Sequence, residues 1–290
     1  MKPTAILIRI LAAASIGFAP LHAASPELQA TASKLYQAHA DSVVWLSVIA
    51  KTSMSVDGDA PAEIKSKLSG EERETTVETT GTFISKDGLL VTALGKLDRS
   101  SMMDGQTVNT PMGPIKLKSE SEVTEIKVIM PDGTEIPADL VLKDVDLGLG
   151  FIKLRMDSDE ASGVEIHSID LADSSEGKIL DDCIGIDRMD ESLNREPAMS
   201  SGEISGITTK PRRFYRVDMD STGCPVFLSS GKLLGITVVR KPSSGLGGGA
   251  GRMTPVVLPA AEVAKIAEQA KEAKPEVVSE DEDESSSDEE

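Results

Sequence analysis

Aromatic side chains are almost missing from this chain of 290 residues, which holds one Trp, two Tyr and five Phe. A core of any size must then be built from Val, Ile, Leu, Ala and Met. The 39% hydrophobic content is enough for one large domain or two modest ones. Positive charge is equally short, with 30 Lys and Arg against 48 Asp and Glu, a formal net charge of −18. That balance excludes the basic surface nucleic acid requires, and anionic lipid head groups would repel it. With 3 His and 2 Cys there is no cluster at metal-ligand spacing, so neither a metal nor a cofactor is expected. Long apolar runs are lacking too, and no segment after the first 24 residues approaches the length of a membrane span.

The first residues have the pattern of an export signal. Lys2 and Arg9 give a positive start, residues 10–21 are apolar, and Leu21-His22-Ala23 offers a small residue at a cleavage point. Residues 1–23 are therefore expected to be removed, leaving a periplasmic or secreted protein with no membrane span. Losing Lys2 and Arg9 takes the charge from −18 to −20. The oxidising space outside the cytoplasm permits a bridge between Cys183 and Cys224, and two buried thiols are the alternative.

Residues 26–40 have helical spacing, with Leu28, Ala32, Leu35 and Tyr36 on one face. Short β-type runs follow at 42–50, 81–85, 89–93, 125–130, 135–142 and 149–154. Lys86-Asp87-Gly88 and Pro131-Asp132-Gly133 are the hairpin turns between them. The polar stretches 51–79 and 99–122 read as surface insertions. A second set of strands is predicted at 179–186, 200–208, 214–218, 226–228, 233–239 and 253–257. Pro259 then opens a helix with Val263, Ile266, Ala267 and Ala270 on one face. Residues 280–290 carry eight acids and no cation, so the tail should be a solvated, disordered segment. Its acids lack the glycine and spacing of a calcium loop.

The pattern predicts an all-β chain with two six-stranded antiparallel β-barrels and short helices at each end. Its divisions are a signal peptide (1–23), a first barrel with a leading helix (24–156), a second barrel with a closing helix (157–274) and an acidic tail (275–290).

Four segments together resemble the Deg/HtrA branch of the trypsin-like serine proteases: GTFISKDGLLVTALGKL (81–97), IKVIMPDGTEIPADLVLKDVDLGLGFIKL (126–154), SGEISGITTKPRRFYRVDMDSTGCPVFLSSGKLLGI (201–236) and GGGAGRMTPVVLP (247–259). The resemblance implies the trypsin-like double barrel, with these segments as the histidine, aspartate and nucleophile regions and the last strand. It also implies that the triad is degenerate. Gly95 stands where the family has histidine. With Lys153 fixing the frame, Gly148 stands at the aspartate, while Asp144 and Asp146 are out of register. With Pro225 aligned, Thr222 takes the serine position, and Asp220 replaces a glycine whose amide would help bind an oxyanion. Ser221 is one residue too far from Pro225.

Without its leader the chain has two histidines, His39 and His167, and neither falls at the family's position. A Ser/His/Asp mechanism needs a base beside the nucleophile, and a reactive Cys224 needs one too. The expected function is thus an inactive homologue, a pseudoprotease that binds a protein or peptide in the former substrate cleft by strand addition. The alternative is a divergent endopeptidase using Ser221, Thr222 or Cys224. Two further features read as structural: the basic cluster Lys210, Arg212, Arg213 and Arg216 as a hairpin tip, and GLGGGAG (245–251) as a loop.

Overall fold

The computed structural model describes residues 25–57, 65, 72–98, 100, 104–111, 113–240 and 254–273. The predicted signal peptide, the acidic tail and the 245–251 loop lie outside the described residues.

The leading helix α1 (Pro26–His39) starts where expected, with Pro26 in its first turn and the Ser25 side chain accepting from the Leu28 amide at 3.1 Å. It buries Leu28 and Leu35, while Tyr36, expected on the same face, is exposed. Seven strands follow: β1 (Val43–Asp57), β2 (Arg73–Phe83), β3 (Leu89–Ala93), β4 (Thr107–Thr110), β5 (Gly113–Ile129), β6 (Glu135–Asp144) and β7 (Leu149–Leu154). They run β1-β2-β3-β7-β6-β5, and pairing of β5 with β1 closes the ring, with β4 on the outside of β5.

Among the described residues, the two stretches read as insertions are largely strand. β1 and β2 pair from Val43↔Thr82 out to Thr52↔Arg73, and β1 follows β5 to Asp57↔Lys116. In β5, Ile115, Leu117 and Ser119 are buried while Lys116, Lys118 and Glu120 are exposed, and Lys118 pairs with Glu120 at 2.6 Å. One face of this arm is charged and serine stands on the other, so the average polarity hides a period of two.

The second barrel is β8 (Asp182–Arg188), β9 (Pro197–Thr208), β10 (Phe214–Val217), β11 (Pro225–Leu228), β12 (Leu233–Arg240) and β13 (Thr254–Pro259), closed in the order β10-β13-β12-β11-β8-β9. β8 begins later than predicted, because Ile179 and Leu180 point outward, 51% and 68% exposed. α2 is a single turn (Leu94–Leu97). The closing helix α3 (Ala260–Glu272) buries Val263, Ala267 and Ala270, with Ile266 packed at the edge. No helix among the described residues is long and apolar enough to cross a membrane.

Both barrels share one interface core. Val43, Val91 and Phe151 of the first meet Ile184, Phe227 and Val238 of the second. The leading helix, grouped by sequence with the first barrel, packs its Leu28 and Leu35 into this same cluster, and Thr31 donates to the Ser229 carbonyl of the second barrel. Polar clamps run across the seam. The buried Arg188 guanidinium donates to the carbonyls of Val43, Ala40 (3.2 Å) and Arg195 (3.0 Å). The Trp45 indole donates to the Met189 carbonyl at 2.8 Å, and Arg195 pairs with Glu78 at 2.9 Å. Burial pulls Arg188 below the usual guanidinium range, opposed chiefly by Asp41.

Replacing Arg188 with Leu leaves buried carbonyls without donors, each worth roughly 1–3 kcal/mol. Arg188→Leu should therefore lower unfolding stability by about 2–4 kcal/mol in a denaturant titration, whereas the exposed Lys86→Ala should change it by less than ~0.5 kcal/mol.

Candidate functional site

The candidate site lies where the segment after β10 crosses the seam. Met219 anchors that segment in the second barrel's core. The chain then passes Asp220, Ser221 and Thr222 and enters β11 through Gly223, Cys224 and Pro225.

Threonines of the first barrel form the bed beneath it. Thr80 Oγ1 donates to the Thr222 carbonyl at 2.8 Å, Thr82 Oγ1 donates to the Gly223 carbonyl at 2.8 Å, and Thr92 Oγ1 donates to the Thr80 carbonyl at 2.6 Å. From the second barrel, Thr237 Oγ1 accepts from the Cys224 amide at 2.9 Å, and the Gly223 amide donates to the Thr237 carbonyl at 2.8 Å. Gly223 has φ +78°, and a β-carbon built on it would lie 2.5 Å from the Thr80 carbonyl oxygen. Only glycine fits that conformation at that approach.

The segments carrying Gly95, Gly148 and Thr222 meet at this seam. The same β-carbon on Gly223 would lie 3.3 Å from the Ala93 nitrogen, two residues before Gly95. The Leu94 amide donates to the Gly148 carbonyl at 2.9 Å. Gly95 itself lies half-buried in α2. Gly148 closes the β6–β7 turn by donating to the Asp144 carbonyl at 2.8 Å, with φ +73°. A β-carbon there would sit 3.2 Å from the Val239 carbonyl oxygen, so any side chain at 148 is strained by its backbone and crowded by β12. Asp144 accepts from the Leu147 amide at 2.8 Å, and Asp146 points outward to Arg212 at 3.5 Å.

The possible nucleophiles have unlike surroundings. Cys224 is fully buried, and its Sγ contacts Asp187 Oδ1 at 3.0 Å and Thr80 Oγ1 at 3.2 Å. Burial, with the Asp187 charge adding to it, pushes this thiol well above the usual cysteine range. Cys183 lies inside the second barrel, where burial pushes its thiol up to about 12. Both are free thiols, which decides against the bridge. Ser221 Oγ is buried with no hydrogen-bond partner. Thr222 is half-buried and Asp220 exposed.

Neither histidine serves these groups. His39, at the end of α1, stacks on Phe227 with ring centroids 5.2 Å apart, and its Nδ1 has no hydrogen-bond partner. His167 is exposed in the connection between barrels. Among the described residues no three His, Cys, Asp or Glu side chains are placed to hold a metal. The basic cluster forms the β9–β10 connection, as expected for a hairpin tip, with Phe214 paired to Thr208. Sequence reasoning passed over Met219, Asp187 and the threonines at 80, 82, 92 and 237. The Thr-Thr-Gly-Thr run at 79–82 was the available signal, since hydroxyls on a β-branched strand are suited to capping a neighbour's carbonyls.

Two closed six-stranded antiparallel barrels with their seam on the nucleophile-type loop define the trypsin-like double-barrel fold. Among solved structures, the chain is similar to the crystal structure of the MamO protease domain from Magnetospirillum magneticum in its apo form. The two are 15% identical over 80% of this chain and 98% of that one, with a TM-score of 0.46. The fold stands on the strand pairing alone. No family model and no curated protein matches the chain.

The thiols give a direct test. Neither Cys183 nor Cys224 should react with a thiol reagent in the native state, and both should titrate after unfolding; rapid native labelling of Cys224 would contradict its burial. His39 gives a second. Burial holds its imidazole below the usual histidine range, against a smaller opposing pull from Asp173. The folded state thus favours the neutral ring. This contribution is complete above the unfolded pKa and declines as pH falls toward the folded one. Thermal melts between pH 7.5 and 5.5 should fall more steeply for the native chain than for His39→Phe, and parallel slopes would refute the linkage.

Proposed function

We propose that the protein is an exported pseudoprotease, a trypsin-like double barrel that binds an extended protein or peptide segment in the cleft between its barrels. The observation that carries this reading is the setting of the loop. Its thiol is buried against a carboxylate, the carbonyls of Thr222 and Gly223 are taken by threonines, and the two described histidines have other surroundings. A serine-type mechanism without its base and orienting acid loses about 10⁶ in turnover.

Strand addition asks only for an open backbone edge. Within β12, residues Val238, Val239 and Arg240 pair with β13 on one side, while β11 pairs only as far as Ile236. Val239 turns its carbonyl, and with it its amide, toward the first barrel. Export rests on the Lys2, Arg9 and apolar pattern of the first 23 residues, and N-terminal sequencing of secreted material tests it through a mature start at Ala24.

One observation favours a divergent endopeptidase: Ser221 keeps a buried hydroxyl without a partner. A fluorogenic peptide library, read for both cleavage and binding, separates the two. The pseudoprotease reading expects no turnover, and binding weakened at least tenfold by Val239→Pro or Thr222→Arg in variants whose circular dichroism is unchanged. Turnover abolished by Ser221→Ala, Thr222→Ala or Cys224→Ala would overturn it in favour of the enzyme. Binding indifferent to both cleft variants would place the partner elsewhere.

A further inference from the structure

On a chain with a net charge of −18, five cations gather on one edge of the second barrel: Lys210, Arg212, Arg213 and Arg216 of the β9–β10 connection and β10, and Arg240 at the end of β12. The patch is assembled in three dimensions, because Arg240 stacks its guanidinium 4.9 Å from the centre of the Phe214 ring. Two acids neutralise part of it, Asp146 on Arg212 at 3.5 Å and Glu176 on Arg213. Lys210 and Arg216 are exposed and have no ion-pair partner among the described residues. Lys210, Arg216 and Arg240 thus remain as three positive charges with no ion-pair partner among the described residues.

We propose that this patch is a docking site for an acidic peptide segment, and that its occupant is the protein's own acidic stretch, residues 280–290. That segment carries eight acids and no cation. Reach allows it. α3 ends at Glu272 on the same barrel, and about twelve extended residues from there to Ser285 span roughly 40 Å. A unit of about 100 residues has a radius of gyration of roughly 13 Å, a surface radius of roughly 17 Å, so a path of that length covers most of the barrel's surface. Complementary charge then selects the basic edge, since the rest of the surface is predominantly acidic and repels the segment. Held on one chain, the segment faces the patch at an effective concentration in the millimolar range, so a weak site is filled. The docking is independent of whether the cleft binds peptide.

Zero-length carbodiimide coupling of the full chain, followed by peptide mass spectrometry, tests the placement. Lys210 should be joined to acids of 280–290 in the monomer band at least fivefold more often than the exposed control Lys86. The yield should fall at least fivefold in ~1 M NaCl, where the screening length is about 3 Å, and in Arg216→Glu. Equal coupling to Lys86, insensitivity to salt, or coupling confined to a dimer band overturns the assignment. A second measurement does not depend on lysine chemistry. A labelled peptide of residues 275–290 should bind the full chain at least tenfold more tightly once every acid of 280–290 is changed to its amide; equal affinity for both chains overturns occupancy by the tail.

Discussion

The fit of Gly223 and Cys224 against the first barrel is the constraint on which the rest of the molecule turns. At this point a backbone from one barrel approaches the backbone of the other too closely for a β-carbon, and threonine hydroxyls satisfy the carbonyls exposed by the crossing. Buried backbone groups must be paired, and here the partners come from across the seam. Each barrel therefore completes the other's hydrogen bonding, and the cleft geometry is fixed where the interface is most polar. Apolar packing of Phe227, Val238 and Phe151 adds bulk attraction but little direction.

Around that junction, Gly148 and Cys224 both have structural roles. Gly148 supports a positive-φ turn that presents its carbonyl to Leu94 and its α-carbon face to Val239. A side chain there would strain the β6–β7 turn and press on β12 together. Cys224 lies where burial disfavours charge and a neighbouring carboxylate disfavours it further. The Gly148 carbonyl and the Cys224 thiol are both directed at the protein's own interior.

The fold was largely legible in the sequence because its strands alternate and its turns carry glycine or proline. β3 and β7 match their predicted bounds residue for residue, and α1 and α3 differ by a residue or two. What escaped was strand with two polar-looking faces. In β5 serine occupies inward positions beside Lys and Glu, and the outer half of β1 reads Lys-Thr-Ser-Met-Ser-Val-Asp. Composition averages over the alternation that defines such segments. At the site, the three substituted positions were visible as letters. The Thr80 and Thr82 contacts to the loop and the Cys224–Asp187 contact were not, since each joins residues more than 30 positions apart.

A protease's equipment divides into two parts with different physical bases. Backbone recognition depends on an unpaired strand edge, and in β12 the ladder with β11 stops at Ile236 while that with β13 runs on to Arg240. Acyl transfer depends on a base, an acid and a preorganised oxyanion site acting within a fraction of an ångström. The first requirement is a property of the fold and survives substitution of individual side chains. The second is a property of a few side chains and is lost with them. In this chain the two barrels meet along a seam with a closed sheet on either side. On a chain with a net charge of −18, the cations of the β9–β10 connection set one edge of the second barrel apart by charge.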